Sequence, residues 1–166
     1  MKHLLTTTVN GEQVQEAVSP RTSLADFLRE DMGLTGTHLG CEMGACGACL
    51  VLMDGAPVHA CLVLAVQAEG CTVETIEGLT ETGAAADLQA RFHDRNALQC
   101  GYCTNGMLMS AQALLAANPD PSRDEIRDAL SGNYCRCTGY EAIVDAIAAT
   151  ASDRAALPET KAEAAE

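Results

Sequence analysis

The hydrophobic pattern changes once along this chain. Up to about Ile76, short apolar runs separated by turn residues predict strands; from about Leu79, apolar residues at helical spacing predict helices. In the first stretch Leu4 to Val9 and Glu12 to Val18 flank Asn10-Gly11, the strongest short signal for a tight turn, and read as a hairpin. A helix follows: Ser23 with Asp26 three residues on resembles a capping box, Leu24, Phe27 and Leu28 give one apolar face, and Gly33 is a plausible stop. Ala48 to Met53, Asp54-Gly55 and Pro57 to Ala60 read as a second hairpin, and Glu69-Gly70 leads into a strand over Cys71 to Ile76. Two hairpins around one helix, with a closing strand, predict a small α+β unit with a sheet packed on a helix.

The second stretch opens with a short linker, Thr80 to Ala84, and a helical segment carrying Leu88 and Phe92. A helix is predicted from Asn105 to Asn118, where Asn118-Pro119 ends it. Ser122 with Glu125 makes another capping box before Ile126 and Leu130, with Gly132 as the stop. A last helix, Tyr140 to about Thr150, carries Ile143, Val144 and Ile147. The division this gives is residues 1–78, residues 79–151, and an Ala- and Glu-rich tail at 152–166.

Charge changes the picture by exclusion. With a formal net charge of −13 in 166 residues and no Lys/Arg cluster, the chain is a poor partner for nucleic acid or anionic membrane. No apolar run approaches the roughly 20 residues of a membrane span, and no signal h-region or twin-arginine pair is seen, so the expected compartment is the cytoplasm. Nine cysteines there point to metal rather than disulfides, and the odd total agrees. Aromatic content is 3% with no Trp, so Leu, Val, Ile, Met and Ala must fill the cores. Metal sites would then support folding as well as function.

Eight of the nine cysteines form two groups of four. In the first set, Cys41, Cys46, Cys49 and Cys61, the spacing is C-x4-C-x2-C with the fourth Cys after eleven more residues. That is the plant-type arrangement for a 2Fe-2S cluster; a zinc ribbon would show two short pairs instead. Gly40, Gly44 and Gly47 let the backbone wrap closely and turn amides toward the sulfurs. The second set, Cys100, Cys103, Cys135 and Cys137, is a C-x2-C pair and a C-x-C pair separated by 31 residues. Spacing alone leaves zinc and an iron-sulfur cluster both open there, although a second electron carrier makes more sense beside the first. Both pairs precede predicted helices, whose N-termini would favour the negative charge of such a site. Cys71 is left over and is expected to pack as a small buried hydrophobe. A Rieske centre would need two histidine ligands; with each set complete, His59 is expected at the surface or just behind the ligands, and Met107 and Met109 in the core.

The stretches Leu34 to Cys49, Gln99 to Thr104 and Gly132 to Tyr140 carry a resemblance to the iron-sulfur subunit of the molybdenum hydroxylases, the xanthine dehydrogenase and aldehyde oxidase family, in its separate-subunit form. The resemblance covers about residues 3–150. It implies a ferredoxin-like β-grasp domain followed by an all-α four-helix domain, and two 2Fe-2S clusters. By motif, Cys41, Cys46, Cys49 and Cys61 would hold the flavin-side cluster, and Cys100, Cys103, Cys135 and Cys137 the molybdenum-side one. Gln99 and Cys137 would approach the pterin. The implied partners are a medium subunit binding FAD and a large subunit binding molybdopterin in its cytosine dinucleotide form, assembled as a dimer of heterotrimers. Together they would hydroxylate a small substrate, of N-heteroaromatic, aldehyde, carbon monoxide or acyl-CoA type. Two positions depart from the family pattern: Asn105 replaces a usual proline and Leu50 a common threonine. No dinucleotide loop, P-loop or nucleophile constellation is present, so substrate chemistry would lie on the partners. A stand-alone two-cluster ferredoxin and a zinc-stabilised adaptor are the alternatives.

Overall fold

The computed structural model describes residues 2–156. Strands β1 (His3–Val9) and β2 (Glu12–Val18) form the expected hairpin in register from His3 opposite Val18 to Val9 opposite Glu12. Asn10 and Gly11 take the left-handed conformations, φ 51° and 85°, that its turn requires. Helix α1 (Leu24–Asp26) is capped by Ser23, whose hydroxyl accepts the Asp26 N–H at 3.0 Å, and widens into a π-type turn over Phe27–Asp31. Strands β3 (Leu50–Met53) and β4 (Ala56–His59) form the second hairpin. After a 3-10 turn at Ala65–Ala68, β5 (Thr72–Glu74) enters between the hairpins, parallel to β1 and antiparallel to β3. The sheet order is β2-β1-β5-β3-β4.

The closing strand is shorter than expected. Thr75 ends it, because its N–H donates to Asn10 Oδ1 at 2.8 Å and its hydroxyl to Glu77 Oε2 at 2.6 Å, and the chain then turns into a helix. That helix, α2 (Ile76–Glu81), replaces the first part of the expected linker; the Thr80 and Thr82 hydroxyls bond back to the carbonyls of Ile76 and Gly78. Helices α3 (Ala86–Asp94), α4 (Thr104–Ala117), α5 (Arg123–Ala129) and α6 (Glu141–Ala156) complete the chain. The Ser122/Glu125 capping box is present. The last helix runs beyond the expected end near Thr150 and takes in the first residues of the expected tail, where Arg154 pairs with Asp87 of α3 at 2.7 Å. The rest of that tail, 157–166, lies outside the described residues.

Two apolar cores follow from this order. One joins Leu5, Val9, Leu24, Phe27, Leu28, Val51 and Val73 between sheet and α1. The other joins Phe92, Met107, Met109, Leu115, Ile126, Ile143 and Ile147 among the helices, so both methionines are core residues as expected. Strand β3 serves both: Val51 points into the first, while Leu50 and Leu52 on its opposite face belong to the second. This is the period-two geometry of a strand with both faces covered. Leu50, one of the two family departures, is therefore part of the wall between the units. An α+β domain with a five-stranded mixed sheet followed by a helical domain is the architecture found.

Candidate metal centres

The first set lies on the loop between α1 and β3, closed by Cys61 just after β4. The loop turns through left-handed positions at Glu42, Gly44 and Gly47, φ 52°, 72° and 73°. At Gly47 a side chain has no room, since a Cβ would lie 2.4 Å from the Gly132 carbonyl; one on Gly44 would meet only the movable end of the exposed Leu62 side chain, at 2.3 Å. So wrapped, the loop turns amides onto sulfur, and Cys41 Sγ accepts the N–H groups of Ala45 at 3.3 Å and Cys46 at 3.4 Å. Amides of Met43, Cys46 and Ala45 hold the Cys41 thiol down at about 7, the thiolate a metal needs. Cys49 is buried at 1% exposure, and burial first, then the thiol of Cys61 beside it, pushes it up to about 12. That burial also keeps water from the Cys49 sulfur.

The second set is assembled by packing. Cys100 and Cys103 end the loop into α4, and Cys103 directly precedes its first residue, as expected. Cys135 and Cys137 lie on a turn four or more residues before α6, so it is the turn that supplies the donors there, not the start of that helix. Cys135 Sγ accepts the amides of Cys137 at 3.4 Å and Thr138 at 3.3 Å and the Thr138 hydroxyl at 3.1 Å. Burial opposes ionisation of Cys135, but these donors prevail and its pKa is lowered. Burial and the neighbouring Cys135 push Cys103 up to about 12. The Tyr140 hydroxyl fixes the turn, accepting from the Cys135 N–H at 2.8 Å and donating to the Asn133 carbonyl at 3.2 Å.

The thiols meet in pairs: Cys41 with Cys46, Cys49 with Cys61, Cys103 with Cys135, and Cys100 with Cys137 at 3.7 Å between sulfurs. That separation is far beyond a disulfide bond, and all nine cysteines are free. Among the described residues no three His, Cys, Asp or Glu side chains gather tightly enough for a single metal ion. Pairs of pairs suit a two-iron unit, in which two thiolates serve each iron. A cavity of about 200 Å³ is lined by all four thiols of the second set together with Gly40 and Cys46 of the first. A larger cleft of about 300 Å³ between α5 and α6 contains no thiol.

The two sites touch. The Cys46 carbonyl accepts the Tyr134 N–H at 2.8 Å, one residue before Cys135. Behind it, buried Asn133 donates to the Gly47 carbonyl at 3.3 Å and accepts from the Ser110 hydroxyl at 2.7 Å. Sequence reasoning did not single out Asn133, Ser110, His38 or Tyr102, although three of them lie inside the quoted motifs. Asn105, in place of proline, is the second residue of α4, and its side chain donates to the Gly36 carbonyl at 2.9 Å. Gln99 donates to the Cys137 carbonyl at 3.0 Å, so the two expected pterin contacts lie together, both exposed. Cys71 is corrected: it sits just before β5, half-buried rather than buried, because its sulfur turns toward the carbonyls of Gln67 and Glu69 at 3.9 and 3.8 Å. His59 is half-buried, and its Nδ1 has no hydrogen-bond partner among the described residues. No helix among them is long and apolar enough to cross a membrane.

Comparison with known proteins gives a consistent result. A 2Fe-2S iron-sulfur cluster binding domain matches residues 7–103, and a second 2Fe-2S binding domain matches residues 75–148. The chain is 55% identical over 139 residues to the nicotine 6-hydroxylase small subunit of Paenarthrobacter nicotinovorans, covering 84% of each chain. It is 51% identical over 148 residues to caffeine dehydrogenase subunit gamma of a Pseudomonas species, covering 87% of this chain and 89% of that one. Among solved structures, quinoline 2-oxidoreductase from Pseudomonas putida 86 has a chain 52% identical that superimposes with a TM-score of 0.85, covering 91% of this chain and 94% of that one.

Proposed function

Because the chain belongs to the iron-sulfur subunits of the molybdenum hydroxylase family, we propose that it relays electrons from molybdopterin on a large partner subunit, by way of the second thiolate set and then the first, to FAD on a medium partner. The direct contact between the sets supports this reading: the Cys46 carbonyl accepts the Tyr134 N–H, one residue before Cys135, so one backbone link joins the two loops. When bound, each 2Fe-2S cluster takes up and releases one electron at a time. The chain's own residues do the rest. Cys41, Cys46, Cys49 and Cys61 would hold the flavin-side cluster, and Cys100, Cys103, Cys135 and Cys137 the molybdenum-side one. Amides and the Thr138 hydroxyl offset the charge on sulfur, and the buried Cys49 side excludes water.

In this reading residues 1–78 are the flavin-side unit and 79–151 the molybdenum-side unit, the boundary falling inside α2. Gln99 and Cys137 present their exposed edge to a molybdopterin cytosine dinucleotide. Relatives named for nicotine, caffeine and quinoline favour an N-heteroaromatic substrate, hydroxylated on the large subunit of a heterotrimer that pairs into a dimer. Purification of the tagged chain from its native host tests this. The expected preparation contains molybdenum and flavin, and an N-heteroaromatic substrate bleaches its iron-sulfur absorbance. A chain that purifies alone with its iron would favour the stand-alone ferredoxin.

A further inference from the structure

A second lacing of side chains joins the loops that carry the two sets. His38 and Tyr102 stack with ring centroids 4.7 Å apart and 19° between planes. The His38 Nδ1–H donates to the Tyr102 carbonyl at 2.8 Å, and the Tyr102 hydroxyl donates back to the Leu39 carbonyl at 2.7 Å. Asn105 extends the same seam to Gly36 at 2.9 Å. Residues 36–39, which lead into Cys41, are thus fastened to residues 102–105, which carry Cys103 into α4. Core packing does not account for this, since Tyr102 is 49% exposed and His38 only half-buried.

The turn so fastened needs restraint. Cys100 is exposed, and Gly101 between the two thiols is left-handed at φ 81° with open space around it. A cluster site requires its thiolates to be gathered against chain entropy and mutual repulsion. The first set gathers three of its ligands within one short loop. The second must bring a turn beside α4 to a turn before α6, and the lacing fixes one of those turns to the first unit.

We infer that His38 and Tyr102 are positioning residues for the second thiolate set: they hold the Cys100–Cys103 turn against the loop of the first set, so that loading of the second site depends on the first unit. The inference rests on the two-cluster reading proposed above. It is tested on the full chain reconstituted with iron and sulfide, as wild type, His38→Ala, Tyr102→Leu and Tyr102→Phe. The readouts are iron content, the two 2Fe-2S EPR signals, their midpoint potentials, and the rate of iron loss to a chelator. In His38→Ala and Tyr102→Leu the second site loses iron about tenfold faster, the effect typical of a lost outer-shell partner. Its potential shifts while the first site keeps signal and potential. Tyr102→Phe, which retains the stack and the main-chain bond to His38, loads close to wild type. Unchanged second-site loading and potential in both variants, or equal loss at both sites, overturns the inference. Should Tyr102→Leu not fold, His38→Ala decides alone. A wild-type chain without the second signal would instead overturn the two-cluster reading, and the inference with it.

Discussion

The two sets of four cysteines are assembled by different routes. The first is local: three thiols lie on one loop, and left-handed turns at Glu42, Gly44 and Gly47 point its own amides at Cys41. The second is tertiary: its two pairs lie on either side of α4 and α5 and meet only because the helices pack around Met107, Met109, Ile126 and Ile147. A loop can specify a site by backbone conformation alone, whereas a site between distant segments inherits its precision from everything that packs behind it. Variants that loosen packing should therefore separate the sets, and variants that remove one thiol should divide them cleanly.

The largest effect is expected from Cys103→Ala. It should reduce iron from about four atoms per chain to about two, leave the first site's EPR signal, and abolish reduction of flavin by substrate in the assembled enzyme. Normal turnover in that variant would sink the proposed order of transfer. Gly106→Ala comes next. A Cβ there would lie 2.0 Å from the Gly47 carbonyl, a backbone atom, so α4 must shift away from the first loop. A loss of about 1–3 kcal/mol is expected by denaturant unfolding, and the contact between sites should weaken with it.

The comparison also explains what the sequence made legible. Asn10-Gly11 and the Ser122/Glu125 capping box act within a few residues, and each lies where the pattern puts it; at Ser23 only the cap's bond from the Asp26 N–H forms. The spacing Cys41, Cys46, Cys49 marks the first site for the same reason, since one loop holds it. The second set needed family resemblance, because 31 intervening residues carry no local record of who packs against whom. Insertion of β5 between the hairpins, the close approach of Gly106 and Gly132 to Gly47, and the His38–Tyr102 stack are long-range in the same sense. Cys71 departs from the expected burial because the strand-like stretch that suggested it begins only at Thr72, and its sulfur turns toward the carbonyls of Gln67 and Glu69 just before β5.

Smaller effects sharpen the comparison from its margins. Arg154 beside Asp87, at 2.7 and 2.9 Å, ties α6 to α3 and holds the Asp87 carboxyl below its ordinary value. The stabilisation is present above the usual carboxylate pKa and is lost as pH falls through the lowered one. Asp87→Asn should cost less than about 1 kcal/mol, given the exposure of the pair, and should flatten the acid side of the stability profile measured by urea unfolding between about pH 5 and pH 2. Cys71→Ala should change least, with both EPR signals and full iron retained. Loss of either signal would show that Cys71 is a ligand and one of the eight is not.

The central claim is that both sets hold 2Fe-2S clusters, and metal analysis with EPR on the purified, dithionite-reduced chain tests it most directly. Two distinct 2Fe-2S signals of equal intensity, with about four iron atoms and no zinc, are the result expected. One signal, with about two iron atoms and one zinc per chain, would make the second set a structural metal site and contradict it.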